Sequence, residues 1–278
     1  MVTHPYTLLP CSTEHTHTIV LLHPHDRFAP AFGSDILVTQ ASDGRTLREL
    51  FPSWKWIFPA ATTKYCPLAN AQRPLWFQRW SAGIPPPTLV EIEGLAESIR
   101  EILFIIRKEA KLVPLKRIIL GGVSHGCVTA MFAMLFGGTK LGGFVGYGGW
   151  LPNRNKFLEI VENKGTIMVD EILMVGELRK MLLLDSPRQD IERLGYNPMS
   201  LMDLSLEPLL EHRLTHTPVF MAHSKQDIVA PVDLGQEAYS ALRTIGFLAV
   251  WKRYQGGGNW IKEPQRVDDL VNFLRKRQ

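Results

Sequence analysis

A serine between two glycines lies near the middle of the chain. Residues 122–126 read GVSHG and fit the pattern G-x-S-x-G, with Ser124 at its centre. In this pattern the serine occupies a strained turn between a strand and a helix, and the glycines leave room where the turn is tight. The flanking stretches agree, because RIILGGV (117–123) is typical of a buried strand and CVTAMFAML (127–135) of a packed helix. Ser124 is therefore the candidate nucleophile.

A serine nucleophile needs a base to take its proton and a carboxylate to orient that base. In chains with this pattern the acid follows the serine, and the base follows the acid. Asp227 comes just after the predicted strand PVFMAH (218–223), so it is the candidate acid. Asp233 is the alternative, although it lies in the first turn of a predicted helix, where an acidic residue complements the helix dipole.

The base is expected in the glycine-rich loop QGGGNW (255–260), which follows the predicted strand FLAVWKRY (247–254). That loop should return to the serine turn, yet it contains Asn259 and no histidine. A carboxamide has donors and an acceptor oxygen, but no nitrogen that takes up a proton at neutral pH. Asn259 can hold geometry there, but it cannot act as a general base.

Strand-like runs alternate with helix-like patterns along most of the chain. Helices are predicted around residues 42–50, over 88–111 with a Thr88–Glu91 capping box, over 128–136 and near the C-terminus, and 60–87 is predicted to be an irregular loop. The alternation predicts parallel strands in a three-layer α/β sandwich, with functional residues at the carboxyl ends of the strands. The predicted strands are TIVLLHP (18–24), WKWIFP (54–59), RIILGGV, GFVGYGG (143–149), PVFMAH and FLAVWKRY.

One long segment interrupts this alternation. Residues 153–217 contain several helix-like pieces and no convincing strand. We predict one domain over residues 1–278, in which 153–217 form a helical insertion that covers the strand ends as a lid or pocket wall. A helical crossover without substrate contact is the alternative.

The bulk composition is that of a globular protein, with 45% hydrophobic and 21% charged residues. The net charge of +4 comes from 31 basic and 27 acidic residues that are spread along the chain, which argues against a nucleic-acid partner. No apolar run approaches the roughly 18 residues that a membrane span needs, and no signal peptide is evident. The chain has three widely spaced cysteines, Cys11, Cys66 and Cys127. This spacing favours a reducing compartment, so we expect a cytoplasmic protein.

Neither a metal nor a dinucleotide cofactor is predicted. His212 and His216 lie four residues apart, but they have no acidic or cysteine company to complete a metal site. The glycine-containing stretches over 137–149 lack the rest of a dinucleotide fingerprint.

The quoted motifs resemble those of the acyl-protein thioesterase and carboxylesterase branch of the α/β-hydrolases, especially fungal serine hydrolases. The resemblance implies an α/β-hydrolase fold, no cofactor, a small-molecule or acyl-thioester substrate and, by analogy, a homodimer. In this family the last motif usually contains a Gly-His pair, which places Asn259 at the catalytic histidine. The matching stretches cover almost the whole chain outside the insertion: LLHPHDRFAPAFG, FPSWKWIFPAA, LWFQRW, LGGVSHGCVTAMF, YGGWLP, TPVFMAHSKQDIVAPVDLG and GGGNWIKEP.

The resemblance also implies an oxyanion hole made by the backbone N–H groups of His25 and His125. Family members commonly have His-Gly after the first strand, whereas this chain has His-Pro-His at 23–25. Ser224 stands where a glycine is usual beside the acid, and Gln78 where an aspartate is common. Together these departures indicate a specialised member.

Three explanations for Asn259 stay open. It is an engineered replacement of histidine made to trap a ligand, a mark of a naturally inactive homologue, or a sign that the base comes from elsewhere. The histidines that could substitute as base are His25, His125 and His223.

Large apolar residues are predicted near the strand ends and indicate a pocket for an apolar acyl group. The resemblance implies attack by Ser124 on an ester or thioester, through an acyl-serine intermediate. Release of the acyl group by an internal nucleophile would make the protein a biosynthetic thioesterase or cyclase, and loss of the base would leave a non-catalytic binding protein. The predicted pocket residues are Phe28, Phe32, Trp76, Phe77, Trp150, Leu151 and Trp260.

Overall fold

The computed structural model of the chain describes residues 6–66, 70–78, 89–152, 214–258, 261 and 264–278. Most of the predicted insertion, 153–213, lies outside the described residues, so its prediction as a lid stays untested. Thr88, Asn259 and Trp260 also lie outside them.

A seven-stranded sheet forms the middle of the molecule, in the order β1-β3-β2-β6-β7-β8-β9. Strand β1 runs antiparallel to β3, and the other strands are parallel to their neighbours. The predicted, mostly parallel sheet is therefore confirmed. The sheet strands are β1 (Tyr6–Leu9), β2 (His17–Leu22), β3 (Trp54–Pro59), β6 (Ile118–Val123), β7 (Gly143–Tyr147), β8 (Val219–Gln226) and β9 (Ala249–Gly257).

Helices cover both faces of this sheet, as the three-layer prediction requires. One core cluster joins α3, α4 and α5 to the sheet, and a second joins α1, α2 and α6 to the opposite face. Helix α4 is buried along its whole length because it is apolar all round and packs between the sheet and α3. The helices are α1 (Ala29–Leu37), α2 (Leu47–Leu50), α3 (Leu89–Ala110), α4 (His125–Gly137), α5 (Val232–Ile245) and α6 (Pro264–Arg275).

Two local predictions differ from the structure, and one helix is not predicted. The helix predicted around 42–50 is confined to α2, since Thr46 caps it and forms a capping box with Glu49. The stretch 60–87, predicted to be an irregular loop, contains an antiparallel hairpin of β4 (Thr63–Cys66) and β5 (Ala71–Pro74). The sequence pattern does not predict helix α1, because its proline and glycine obscure the helical periodicity.

None of the helices in the described part of the chain is both long enough and apolar enough to cross a membrane.

Candidate active site

Ser124 occupies a sharp turn between β6 and α4. Its backbone angles are φ 53° and ψ −120°, a region of the backbone map that residues other than glycine rarely adopt. The turn is held on both sides, since the Ser124 N–H donates to the carbonyl of Tyr147 (2.8 Å) and the Val128 N–H donates to the Ser124 carbonyl (3.1 Å). A serine held in a strained conformation at a strand end is the arrangement that the G-x-S-x-G pattern predicts.

The two glycines of the pattern have a steric role in this turn. A Cβ atom on Gly122 would collide with the carbonyl group of Gly126, in the first turn of α4. A Cβ atom on Gly126 would collide with the backbone carbonyl of Leu22, at the end of β2. Helix α4 therefore approaches β6 and β2 more closely than any side chain at these two positions would allow.

The Ser124 hydroxyl is buried and has no hydrogen-bond partner among the residues that the structure describes. A buried hydroxyl without a partner costs free energy and is uncommon outside functional sites. The Oγ atom is therefore available to a reacting group or to a base.

Asp227 begins the loop between β8 and α5, and its side chain is buried. Its Oδ1 atom accepts hydrogen bonds from the backbone N–H groups of Val229 (2.9 Å) and Ala230 (3.0 Å). Its Oδ2 atom lies 3.5 Å from Nε2 of His223. Asp233, by contrast, is exposed in the first turn of α5. The geometry thus favours Asp227 over Asp233 as the acid.

The environment keeps Asp227 ionised. Burial alone would raise the pKa of its carboxyl, but the imidazole of His223 and the N–H groups of Ala230 and Val229 stabilise the anion more strongly. The pKa of Asp227 therefore lies below its ordinary value of 3.8. A carboxylate that stays charged can orient a base and stabilise the cation that forms on it.

The acid and the loop that carries Asn259 leave neighbouring strands. Strands β8 and β9 are paired from Val219 with Ala249 to Gln226 with Gly257. Asp227 follows directly after Gln226, and Asn259 comes two residues after Gly257. Asn259 itself lies outside the described residues, so its place beside Ser124 and Asp227 stays a prediction.

His223 lies behind the acid and packs towards α5. Its Nε2 is 2.7 Å from the carbonyl oxygen of Ala230, which assigns the ring proton to that nitrogen. Its Nδ1 lies against Gly235 of α5, where an added Cβ atom would collide with it. These contacts favour a role in holding Asp227 over a role as substitute base.

Three aromatic rings surround the ring of His125, the residue after the nucleophile. The ring of His125 stacks on Phe77, with centroids 4.6 Å apart and planes within 5°. His25 lies 4.8 Å from His125 on a tilted plane, and Trp150 meets it edge-on at 5.3 Å. This ring cluster of His25, Phe77, His125 and Trp150 unites both predicted oxyanion-hole residues with two predicted pocket residues.

The other predicted pocket residues have different surroundings. Phe28 is 52% exposed just before α1, and Leu151 is buried next to Trp150 in the chain. Trp76 is fully buried, and its Nε1–H donates to the carbonyl of His23 (2.8 Å). Phe32 is also fully buried, and it packs edge-on against Phe58 in the core cluster on the opposite face of the sheet. Phe32 is thus a core residue that does not join the ring cluster.

His23 braces the loop of the predicted oxyanion hole, a role that no sequence pattern singles out. Its Nδ1–H donates to the carbonyl of Pro24 (2.8 Å), and its Nε2 accepts from the N–H of Ala61 (3.0 Å). Burial is the main reason why the pKa of His23 falls to about 4, so the ring is neutral at physiological pH. With both nitrogens engaged, this histidine ties the end of β2 to the residues after β3.

The described residues contain no group of three or more histidine, cysteine, aspartate or glutamate side chains that could hold a metal ion.

Comparison with known proteins places these features in a family. Residues 10–174 match the family model described as phospholipase/carboxylesterase. An acyl-protein thioesterase 1 of Gibberella zeae is 24% identical over 276 residues, which cover 97% of this chain and 94% of that protein. The Yarrowia lipolytica acyl-protein thioesterase 1 is 29% identical over 57% of this chain and 67% of its own length.

The fold is shared with solved structures as well. The crystal structure of Zea mays acyl-protein thioesterase 2 superposes with a TM-score of 0.64 at 19% identity, over 99% of both chains. At this identity the likeness concerns the fold, and it confirms the predicted α/β-hydrolase architecture with its mostly parallel sheet.

Proposed function

Because this chain belongs to the phospholipase/carboxylesterase family, we propose that it is a serine hydrolase for carboxylic esters or thioesters with an apolar acyl group. The observation that carries the proposal is the strained turn at Ser124, which leaves a buried hydroxyl without a partner in the described part of the chain. The names of the thioesterase relatives support the substrate class. We also propose that residues 1–278 form one domain, in which 153–217 are the lid. The proposed location of the protein is the cytoplasm.

The proposed reaction begins with attack of the Ser124 Oγ on the acyl carbonyl carbon. The C–O bond forms as the hydroxyl proton leaves for a base, and the carbonyl oxygen becomes an oxyanion that the N–H groups of His25 and His125 would stabilise. Collapse breaks the bond to the alcohol or thiol, which departs with a proton and leaves an acyl-serine. Water then attacks the acyl carbon and gives one proton to the base. The bond between this carbon and Oγ breaks as the base returns that proton to Ser124, and the carboxylic acid is released.

The step that this chain would catalyse poorly is the removal of the proton from the Ser124 hydroxyl. In our proposal Asn259 stands at the position of the base, and a carboxamide cannot accept that proton at neutral pH. Loss of the base from a serine triad costs on the order of 10⁴ to 10⁶ in turnover, and the remainder is supplied by the oxyanion hole and binding. We therefore propose that the chain as given is an impaired hydrolase.

The ring cluster supports an apolar substrate. Phe77 and Trp150 are buried beside His125, the residue that directly follows the nucleophile. Aromatic side chains with few charges beside the nucleophile suit an alkyl or acyl chain better than a sugar or a phosphate.

Restoring the base tests this proposal. Asn259→His should raise labelling of the protein by a fluorophosphonate and hydrolysis of short p-nitrophenyl esters by on the order of 10⁴ or more. Ser124→Ala in the same background should abolish both, and Asn259→Gln is the matched control that changes the side chain without supplying a base. Mass spectrometry should place the label on Ser124.

The alternative, which Asn259 favours, is a binding protein that has the hydrolase fold but does not catalyse hydrolysis. A folded Asn259→His protein that stays inert to the fluorophosphonate and to the esters would support that alternative. If the restored protein converts a hydroxyacyl thioester into a lactone in place of the free acid, it is a cyclase, since an internal hydroxyl then replaces water.

A further inference from the structure

A buried arginine on α6 joins the ends of two strands next to the candidate site. Arg266 is 3% exposed, and its Nη2 donates to the hydroxyl of Ser224 (3.0 Å) and to the carbonyl of Gln255 (3.1 Å). The Ser224 hydroxyl in turn donates to the carbonyl of Gly256 (2.8 Å). One guanidinium and one hydroxyl thus link α6 to the ends of β8 and β9.

The same arginine is connected to the nucleophile turn through Tyr147. The Tyr147 hydroxyl donates to the backbone carbonyl of Arg266 (3.1 Å). The backbone carbonyl of Tyr147 accepts the N–H of Ser124 (2.8 Å). The Arg266 guanidinium also lies over the ring of Tyr254, 5.1 Å from its centroid, which adds a cation–π contact on β9.

This network acts where the strand pairing is irregular. The register between β8 and β9 shifts between Ser224 and Gln226, just before the acid loop begins. Within the shift, Gly256 adopts a φ of 90°, so ordinary ladder bonds hold this end of the strand pair less firmly. The hydrogen bonds from Arg266 and Ser224 hold β8 and β9 together at that point.

Each bonded position also lies close in sequence to a candidate catalytic residue. Ser224 precedes Asp227 by three residues, and its carbonyl accepts the Asp227 N–H (3.3 Å). Gly256 precedes Asn259 by three residues. A glycine at position 224, which is usual in the family that the motifs resemble, would have no hydroxyl to make either bond.

We propose that Ser224 and Arg266 are positioning residues that fix the separation between the acid loop and the loop that carries residue 259. They act through those loops and do not touch the substrate. The catalytic part of this inference rests on the proposed function, because it concerns the base position of the same site. Misplacement of catalytic groups by about 1 Å can cost on the order of 100-fold in rate, so a fixed separation matters.

The test compares Ser224→Ala and Arg266→Met in the Asn259→His background. Each should lower kcat on a p-nitrophenyl ester about tenfold or more and change KM by less than about twofold, since the substrate pocket is untouched. Amide hydrogen exchange over residues 254–258 should become about tenfold faster. The double variant should lose little more than the worse single variant, because both substitutions break the same link.

The matched control is Thr18→Val, which deletes another buried hydroxyl that bonds a buried charged side chain, Glu109, at the far end of the sheet. It should leave kcat unchanged, and it should speed exchange over residues 254–258 no more than over the other strands of the sheet, because its effect is on global stability. Exchange is also measured without the Asn259→His change, so that it stays informative if the restored protein is inert and the proposed function fails. Unchanged exchange and kcat in folded Ser224→Ala protein, or losses equal to those of Thr18→Val, would overturn the inference.

Discussion

Two buried carboxylates lie at opposite ends of the sheet and are treated differently by their surroundings. At the amino ends of the strands, Glu109 is paired through both oxygens, with Lys55 Nζ (2.6 Å) and with the hydroxyl of Thr18 (3.0 Å). At the carboxyl ends, Asp227 uses Oδ1 for two backbone N–H groups, whereas Oδ2 has only the 3.5 Å contact with His223. The first carboxylate is fully satisfied, and the second is not.

This difference in hydrogen bonding distinguishes a carboxylate that holds the fold together from one that can still bind a reacting group. A buried charge with both oxygens paired contributes to the fold and has little left to offer a ligand. Ser124 Oγ and Asp227 Oδ2 are buried without full hydrogen bonding in the described part of the chain, and both lie in the segments that the sequence patterns mark for catalysis. The same set includes the indole nitrogens of Trp54, Trp56 and Trp251, so it is the place of Ser124 and Asp227 at the strand ends that links their unsatisfied atoms to a reaction.

Replacement of Asp227, at the carboxyl ends of the strands, should lower activity more than any other change considered below. Asp227→Asn in the Asn259→His background should lower kcat by on the order of 10⁴, because an amide does not hold and stabilise a charged imidazole. Steady-state hydrolysis of a p-nitrophenyl ester measures this loss. Asp233→Asn is the matched control and should stay within about twofold of its parent, since its side chain is exposed. A larger loss from Asp233→Asn would reassign the acid.

The satisfied end should respond in stability and not in activity. Lys55→Met leaves Glu109 buried without its cation, which should lower the free energy of unfolding by about 3–5 kcal/mol. Urea denaturation measures the change, and kcat of the Asn259→His protein should be retained. Asp43→Asn breaks the exposed pair with Arg45 and should leave the urea midpoint nearly unchanged. Equal midpoints for Lys55→Met and Asp43→Asn would contradict this account.

A third test uses pH at the carboxyl end. The pKa of His23 falls from 6.5 to about 4, mainly through burial, so the unfolded chain takes up a proton between these values and the folded protein does not. Its contribution to stability is complete above about pH 6.5 and is lost progressively as the pH falls from there to about 4. Between about pH 7 and about pH 4.5 it should remove about 2.5 kcal/mol of unfolding free energy.

His23→Gln isolates this contribution, since glutamine does not titrate. Urea denaturation at the two pH values should show a smaller loss for the variant than for the parent. The pKa values of His15 and His17 at the amino end are also lowered, mainly by burial, and both residues are present in the two proteins, so their share cancels. Parallel pH dependence in parent and variant would show that His23 takes up its proton in the folded state.

The features that sequence could predict depend on local patterns. The turn at Ser124 follows from glycines two residues away on either side, and most sheet strands follow from apolar runs bounded by turn residues. The place of Asp227 after a strand predicts that it is the acid, and this role stays a prediction, although the structure shows a buried carboxylate that accepts backbone hydrogen bonds. The mostly parallel sheet follows from the alternation of strands and helices.

What sequence could not predict depends on contacts between distant residues. Arg266 bonds Ser224 across 42 positions, and His23 bonds Ala61 across 38, so no periodicity or motif points to either pair. The position of Phe32 after the first predicted strand predicts a place in the pocket, but its ring on α1 packs into the core on the opposite face of the sheet. Strand β1 is a four-residue edge strand, too short for alternation to reveal it.

Loss of a single hydroxyl at the amino end should have a smaller effect than loss of the cation. Thr18→Val removes the hydroxyl that satisfies one oxygen of buried Glu109, and this should lower the free energy of unfolding by about 1–3 kcal/mol, less than Lys55→Met. Thr16→Val is the matched control, because the Thr16 hydroxyl bonds the neutral hydroxyl of Ser53 (2.9 Å) in a half-buried position. Urea midpoints should fall further for Thr18→Val than for Thr16→Val. Equal midpoints would mean that Lys55 alone satisfies Glu109, and the contrast with Asp227 would then rest on the ion pair.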